Sequence, residues 1–409
     1  MRRRLLVLLI VAGWVATGCS GPVLARPIAS RGPVPSTSPA PPPAHDPQPI
    51  VLPADDAPHH RLTEWWYYTG HLVDDAGARY GFEYVIFRAE RGGLPVSWAA
   101  HLAITDEGRD AFHFAQRSEI GPQVDRNAMV AAAGGEPPPG FDMAIRADAG
   151  APAAAIGGVR PSAAPPSMAS ASDPDALWRM QGAGGHDRLS ATATAEEATA
   201  AGSPGGMGLD LTLAATKPAT LHHGDGWIDF GPAGGSYYYS RTAMTAGGSL
   251  TLEGRTFHVD GTAWFDHQWG DFISVGGGGW DWFAVDLDDG TALTLSLVRA
   301  ADGTYPLVYG TIVDAEGGSR NLDASAFTVT PTGRWRSPRT GADYPSGWVV
   351  ELPGEDLRIE LTPTVLDQEL DTRATTGVVY WEGSQRVRAT RGGAKLGGEA
   401  YVELTGYGP

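Results

Sequence analysis

The 409-residue sequence predicts an all-β protein, two antiparallel up-and-down β-barrels in tandem, preceded by an export segment and a proline-rich tether. Three observations predict it. Aromatic and β-branched runs alternate with acidic-Gly turns from residue 62 onward. The same punctuation returns in the same order in the second half. A content of 55 Gly and 32 Pro is too high for a helix-rich architecture. Closing each meander into a barrel would hide the strand edges that otherwise template aggregation.

At the amino terminus, Arg2, Arg3 and Arg4 precede an apolar stretch over 5–16, followed by Ala16-Thr17-Gly18-Cys19. A basic start, a short apolar run and small residues before a cleavage point make an export signal over 1–18, too short to span a bilayer in the mature chain. The Ala-Thr-Gly-Cys arrangement resembles the lipobox of bacterial lipoproteins. That resemblance implies that Cys19, the only cysteine in the chain, carries lipid. The expected location is then the cell envelope, with the body tethered to the outer face of a bacterial membrane by more than one acyl chain. Residues 20–60 contain 12 of the 32 prolines, a composition suited to an extended spacer, so 19–57 is expected to be a tether without a core.

The body is expected to divide into barrels over 58–240 and 241–409. In the first, strands are predicted over 65–73, 80–88, 98–105 and 111–117, separated by Asp74-Asp75-Ala76-Gly77 and Asp106-Glu107-Gly108. In the second, strands over 280–287, 292–299, 307–313 and 321–329 follow the same order, with Asp288-Asp289-Gly290 as the matching first turn. Both second strands close on arginine, Arg88 and Arg299, and both third strands end in aspartate, Asp106 and Asp314. A low-complexity insert over 131–175 is broken by one strand-like piece at 141–146. Strands resume at 177–181, 189–194 and 209–214, and again at 348–352, 357–361, 377–381 and 400–404. Residues 196–201 form the one tempting helix of this region, stopped by Gly202.

Several functions are excluded. Thirty Lys and Arg against 47 Asp and Glu give a formal charge of −17, so nucleic acid would be repelled. A single thiol rules out multi-thiolate metal sites and internal disulfides. The chain lacks a G-x-S-x-G elbow, an H-E-x-x-H helix and a phosphate-cradling glycine loop. His59-His60 and His222-His223 are adjacent pairs in Pro- or Gly-flanked loops and point apart, so neither a metal nor a cofactor is expected. What stands out is Ala263-Trp264-Phe265-Asp266-His267-Gln268-Trp269-Gly270, followed by Trp280-Asp281-Trp282. On a strand, Asp266 and His267 must face opposite sides.

Together with Glu64-Trp65-Trp66-Tyr67-Tyr68, Ala100-His101-Leu102, Ser236-Tyr237-Tyr238-Tyr239-Ser240 and Tyr401-Val402-Glu403-Leu404, these motifs resemble the carotenoid 1,2-hydratase family with its AttH-type proteins. The resemblance covers the chain from about residue 58 to the end. It implies two lipocalin-like barrels and an apolar partner, an isoprenoid, carotenoid-like molecule or lipid. It leaves open whether the chain only binds that molecule, hydrates it, or is a secreted hydrolase.

Hydrating an isolated alkene requires a carboxyl kept protonated by burial, and Asp266, Asp281 and Glu64, each beside tryptophan, are the candidates. Trp269, Trp282 and Tyr238, with Trp66 and His101, would line the ligand space and face a carbocation. His267 or His101 would serve as the base.

Overall fold

In a computed structural model, residues 45–147, 177–272 and 277–408 are described. The predicted export signal, Cys19 and most of the tether lie outside them, as does the centre of the low-complexity insert.

The first four strands form the expected meander: β1 (Thr63–Asp74), β2 (Arg79–Ala89), β3 (Ser97–Asp106) and β4 (Ala111–Ile120). A helix not anticipated from sequence, α1 (Arg126–Ala132), is capped by the Asp125 side chain on Ala128 N at 2.9 Å. It leads to β5 (Phe141–Ile145), β6 (Trp178–Ala183) and β7 (His186–Ala193). Helix α2 (Ala195–Ala200) begins at a Thr194/Glu197 capping box and stops at Gly202, whose φ of +92° suits glycine. Strand β8 (Met207–Ala215), the short β9 (Thr220–Leu221) and β10 (Trp227–Asp229), and the long hairpin β11 (Gly235–Leu252) and β12 (Arg255–Gly270) complete the sheet. Its order is β4-β3-β2-β1-β12-β11-β8-β7-β6-β5, nearly closed into a barrel.

The second sheet contains β13 (Gly277–Leu287), β14 (Ala292–Ala300), β15 (Leu307–Val313), β16 (Ser319–Asp323), β17 (Thr328–Arg336), β18 (Asp343–Leu352), β19 (Leu357–Pro363), β20 (Glu369–Asp371), β21 (Val379–Arg391) and β22 (Ala394–Thr405). Its order, β16-β15-β14-β13-β22-β21-β19-β18-β17, repeats that of the first. In each, a four-strand meander opens the sheet and the last strand returns to pair with the first, β12 on β1 and β22 on β13. The duplication inferred from the turns is therefore present in the topology.

Three expectations are corrected. The boundary at 240/241 would cut β11, which pairs with β12 along most of its length while β12 pairs with β1. The first sheet thus runs to Gly270. The predicted strand over 321–329 is two strands, β16 and β17, at opposite edges of a half-barrel. Strand β17 touches the core only through partly buried Val329 and Trp335, is otherwise exposed, and carries Pro331, Arg334 and Arg336, residues that discourage further pairing. Residues 45–57 do not behave as a free tether. Ile50 and Leu52 pack on the first sheet's core, and buried Asp56 accepts from Arg241 at 3.0 Å and from the Tyr239 hydroxyl.

Each sheet buries one face in its own core, around Trp66, Tyr84, Trp178 and Phe265 in the first and Phe283, Trp348 and Trp381 in the second. The outer faces of β1, β2, β12, β13 and β22 then meet each other. Tyr67, Val85, Trp264, Trp282, Ala284 and Tyr401 form this third apolar layer, so the central strands are covered on both sides.

Candidate functional site between the two sheets

Strand parity places the predicted residues. In β12, Phe265, His267 and Trp269 point into the first sheet's core, while Trp264 and Asp266 point into the seam between the sheets. Register sets Asp266 between Tyr67 of β1 and Ser240 of β11. On the facing sheet, the row Trp282, Glu403, Glu382 crosses β13, β22 and β21.

Asp266 is 3% exposed and accepts three hydrogen bonds: from Tyr238 Oη at 2.5 Å, Trp264 Nε1 at 2.7 Å and the Ser240 hydroxyl. Burial pushes its carboxyl up to about 6, and the three donors keep it from going higher. Ser240 Oγ also lies 2.7 Å from His222 Nε2, and His222 Nδ1 lies 2.9 Å from Thr311 Oγ1. Burial drives His222 down to about 3, so it is neutral at ordinary pH. Trp282 Nε1 donates to Tyr238 Oη at 3.0 Å, joining the second sheet to the network. Trp282 meets Tyr67 edge-on at 5.3 Å and Trp264 edge-on at 6.2 Å.

Three further carboxyls share the seam, and sequence reasoning missed all of them. Tyr67 Oη donates to Glu382 Oε1 at 2.7 Å, Tyr380 Oη donates to Glu83 Oε1 at 3.0 Å, and Trp280 Nε1 donates to Glu403 Oε2 at 3.0 Å. The second oxygens of Glu83 and Glu382 are buried and have no hydrogen-bond partner among the described residues. Burial pushes both groups well above the usual carboxylate range, and the Glu403 charge adds to it in each case. Glu403 itself is pushed up to about 7, chiefly by burial. His101 Nδ1 lies 2.8 Å from Tyr380 Oη, and burial lowers His101 to about 3. The available sequence signal was a lone Glu between aromatic or aliphatic residues in Phe82-Glu83-Tyr84 and Val402-Glu403-Leu404, and between tryptophan and glycine in Trp381-Glu382-Gly383.

The seam therefore brings together Asp266, Tyr238, Trp282 and His101 of the predicted set. Glu64, His267, Trp66 and Trp269 lie elsewhere, inside the first sheet. Glu64 Oε1 meets His59 Nδ1 at 2.7 Å and His267 Nε2 at 3.0 Å, and the His59 backbone N–H reaches Oε2 at 2.9 Å. Burial would raise Glu64, but the hydrogen bonds from His267 and His59 overcome it and hold the carboxyl low. It is thus a fixed anion rather than a protonated acid. Trp66 and Trp269 pack against His267, each at 4.6 Å, and His59 stacks on Trp269 at 4.1 Å. His59, Glu64 and His267 place ligand atoms within 4.8 Å of one another. A metal there would have to displace the hydrogen bonds and sit near Arg88 Nη1, itself 4.0 Å from Glu64. Asp281 faces away from the seam on β13, paired with Arg299 at 2.9 Å and the Tyr407 hydroxyl at 2.9 Å. Asp266, His267 and Asp281 therefore do not converge on one pocket, contrary to expectation.

The seam is closed. At one end, a slot of about 10 Å³ between Thr69, His71, Trp264 and Tyr401 has room for about one water. The first sheet's interior is filled by side chains such as Trp66, Trp178, Tyr68 and Phe265. A long ligand would have to part the sheets rather than enter a barrel.

Comparison with known proteins agrees with this architecture. Among solved structures, one described as an AttH from Nitrosomonas europaea is similar at 29% identity and a TM-score of 0.67, covering 88% of this chain and 98% of that one. Kievitone hydratase from Nectria haematococca is similar in fold at 15% identity and a TM-score of 0.60, covering 87% of this chain and 93% of its own. A search of curated proteins finds no match. The AttH-like family profile matches residues 43–134 and 164–407, most of the chain including every seam strand, and the protein belongs to the AttH-like family.

Proposed function

We propose that the chain takes an apolar, unsaturated molecule of isoprenoid character into the seam and adds water across one of its double bonds. The observation that carries this reading is Asp266: a buried carboxyl titrating at about 6, ringed by Tyr238, Trp264 and Trp282 and linked through Ser240 to neutral His222. Hydration of an alkene needs a group that takes a proton from water. Above its pKa, Asp266 is ionised and can take it, with Ser240 and His222 relaying hydrogen bonds behind it. The intermediate is a carbocation, and the π-faces of Tyr67, Trp264 and Trp282 suit it. An ester hydrolase is less well supported, because Ser240 is already committed to Asp266 and is fully buried.

Sequence alone supports the cellular setting: export directed by residues 1–18 and tethering through lipid on Cys19 at the outer face of a bacterial membrane.

The test is incubation of the full mature protein with squalene or lycopene, followed by mass spectrometry for the gain of one water. Hydrated product from wild type and none from Asp266→Asn supports the reading. Substrate that co-purifies unchanged makes the protein a binder instead. Turnover that survives Asp266→Asn removes this residue from the chemistry.

A further inference from the structure

Hydration also needs a proton donor, and Asp266, ionised at neutral pH and surrounded by three donors, is poorly suited to that role. We propose that Glu83 and Glu382 share one proton in the folded protein and that this pair is the acid of the seam. The delivery step rests on the hydration reading above, whereas the sharing of the proton does not.

The two residues come from different sheets, Glu83 from β2 and Glu382 from β21, and each is 1% exposed. Each has one oxygen engaged by a tyrosine hydroxyl, Tyr380 for Glu83 and Tyr67 for Glu382, and one oxygen without a partner among the described residues. The groups acting on the pair are Tyr67, Tyr380, Glu403 and Asp266, with His101 behind Tyr380. The tyrosines are raised well above their ordinary value and stay neutral, His101 is uncharged, and the other two are acids. No arginine or lysine among the described residues pairs with Glu83, Glu382 or Glu403. Two buried carboxylates without a cation cannot both ionise at low cost, and one retained proton relieves the repulsion.

The geometry places the Glu382 end of this pair across the seam from the base. Tyr67, hydrogen-bonded to Glu382, is the cross-strand neighbour of Asp266 and touches Trp282. In the step, the π electrons of the double bond take the shared proton and form a C–H bond. The oxygen of water then forms the C–O bond at the cationic carbon, and its surplus proton passes to Asp266. The pair, left with two negative charges, regains a proton as Asp266 releases one. Glu403 provides the route. It lies opposite Glu382 on β22, titrates near 7 and is itself only partly buried, so its own carboxyl exchanges protons with water.

Infrared spectroscopy of the full mature protein across a pH series tests the sharing without any substrate. Wild type and Asp266→Asn should show a protonated-carboxyl band that persists at neutral pH. The double variant Glu83→Gln/Glu382→Gln should lose the pair's component of the band and keep only what the other raised carboxyls contribute, Asp286 at about 8 and Asp187 at about 7, and each single variant should lose its remaining component at lower pH than wild type. Should the double variant fail to fold, Tyr67→Phe leaves both carboxyls in place and removes a donor that lowers Glu382, so its band should persist to higher pH. Absence of a band in wild type at neutral pH, or a band unchanged in the double variant or in Tyr67→Phe, overturns the sharing. Delivery is read from squalene and lycopene turnover, which the double variant should lose by about 100-fold or more. If wild type hydrates a probe and the double variant keeps its rate, delivery is overturned while the hydration reading stands. If wild type hydrates neither, the hydration reading fails and delivery with it, and the infrared band still decides the sharing.

Discussion

Asp266→Asn should make the protein more stable at alkaline pH while abolishing the proposed hydration. The carboxyl titrates at about 6 in the fold against 3.8 in the unfolded chain, a difference worth roughly 3 kcal/mol at ~1.4 kcal/mol per unit. Because the folded value is the higher one, the stability tied to this proton is complete below pH 3.8 and is lost as the pH climbs through about 6. Wild type therefore carries most of that penalty near pH 8. An asparagine keeps an acceptor for Ser240 and Trp264 but offers an amide to the Tyr238 hydroxyl, a mismatch costing about 1 kcal/mol. The net expectation is a gain of about 2 kcal/mol for the variant near pH 8 and a loss of about 1 kcal/mol near pH 4. Urea unfolding followed by tryptophan fluorescence at the two pH values measures it. A variant that is less stable than wild type at both, by the same amount, would refute the claim that burial raises this carboxyl.

Other perturbations probe the rest of the molecule. Arg241→Met leaves Asp56 buried without its cation at 3.0 Å and should cost about 3–5 kcal/mol in urea unfolding. His59 is raised above its ordinary 6.5: burial acts to lower it, but hydrogen bonds to Asp55 and Glu64 outweigh that. The hold of residues 45–60 on the first sheet should therefore be full below pH 6.5 and weaken as the pH rises through the folded pKa. Hydrogen exchange of that segment should accelerate over that interval in wild type and show no such step in His59→Gln. Cys19→Ser should abolish incorporation of labelled fatty acid and shift the protein from the detergent to the aqueous phase in a partition assay.

Local pattern carried the fold further than the site. The Asp74-to-Gly77 and Asp288-to-Gly290 turns, the Gly202 helix stop and the alternation of β12 are all short-range features, and each led to the right element. Alternation also put Asp266 and His267 on opposite faces. It could not show that the outward face of β12 is covered by a second sheet, because that contact joins strands far apart in sequence: Tyr67 with Glu382, His101 with Tyr380. Glu83, Glu382 and Glu403 consequently resembled solvent-facing residues of half-buried strands. The same long-range closure, β12 returning to β1, hid the true end of the first sheet. Asp281 differs for a simpler reason: its partner Arg299 lies on the next strand, and the repeat of turns and strand ends does not show that the two side chains meet.

The seam also changes what it would mean to separate the halves. The chain can be cut between Gly270 and Gly277 without breaking a ladder of either sheet. Either half made alone, however, would present a broad aromatic wall to water, Tyr67 and Trp264 on one, Trp282 and Tyr401 on the other, with buried acids embedded in it. Such a surface favours self-association. The two sheets are thus separate in their strand pairing and jointly required for solubility, so a soluble, inactive half-protein is the least expected product of truncation.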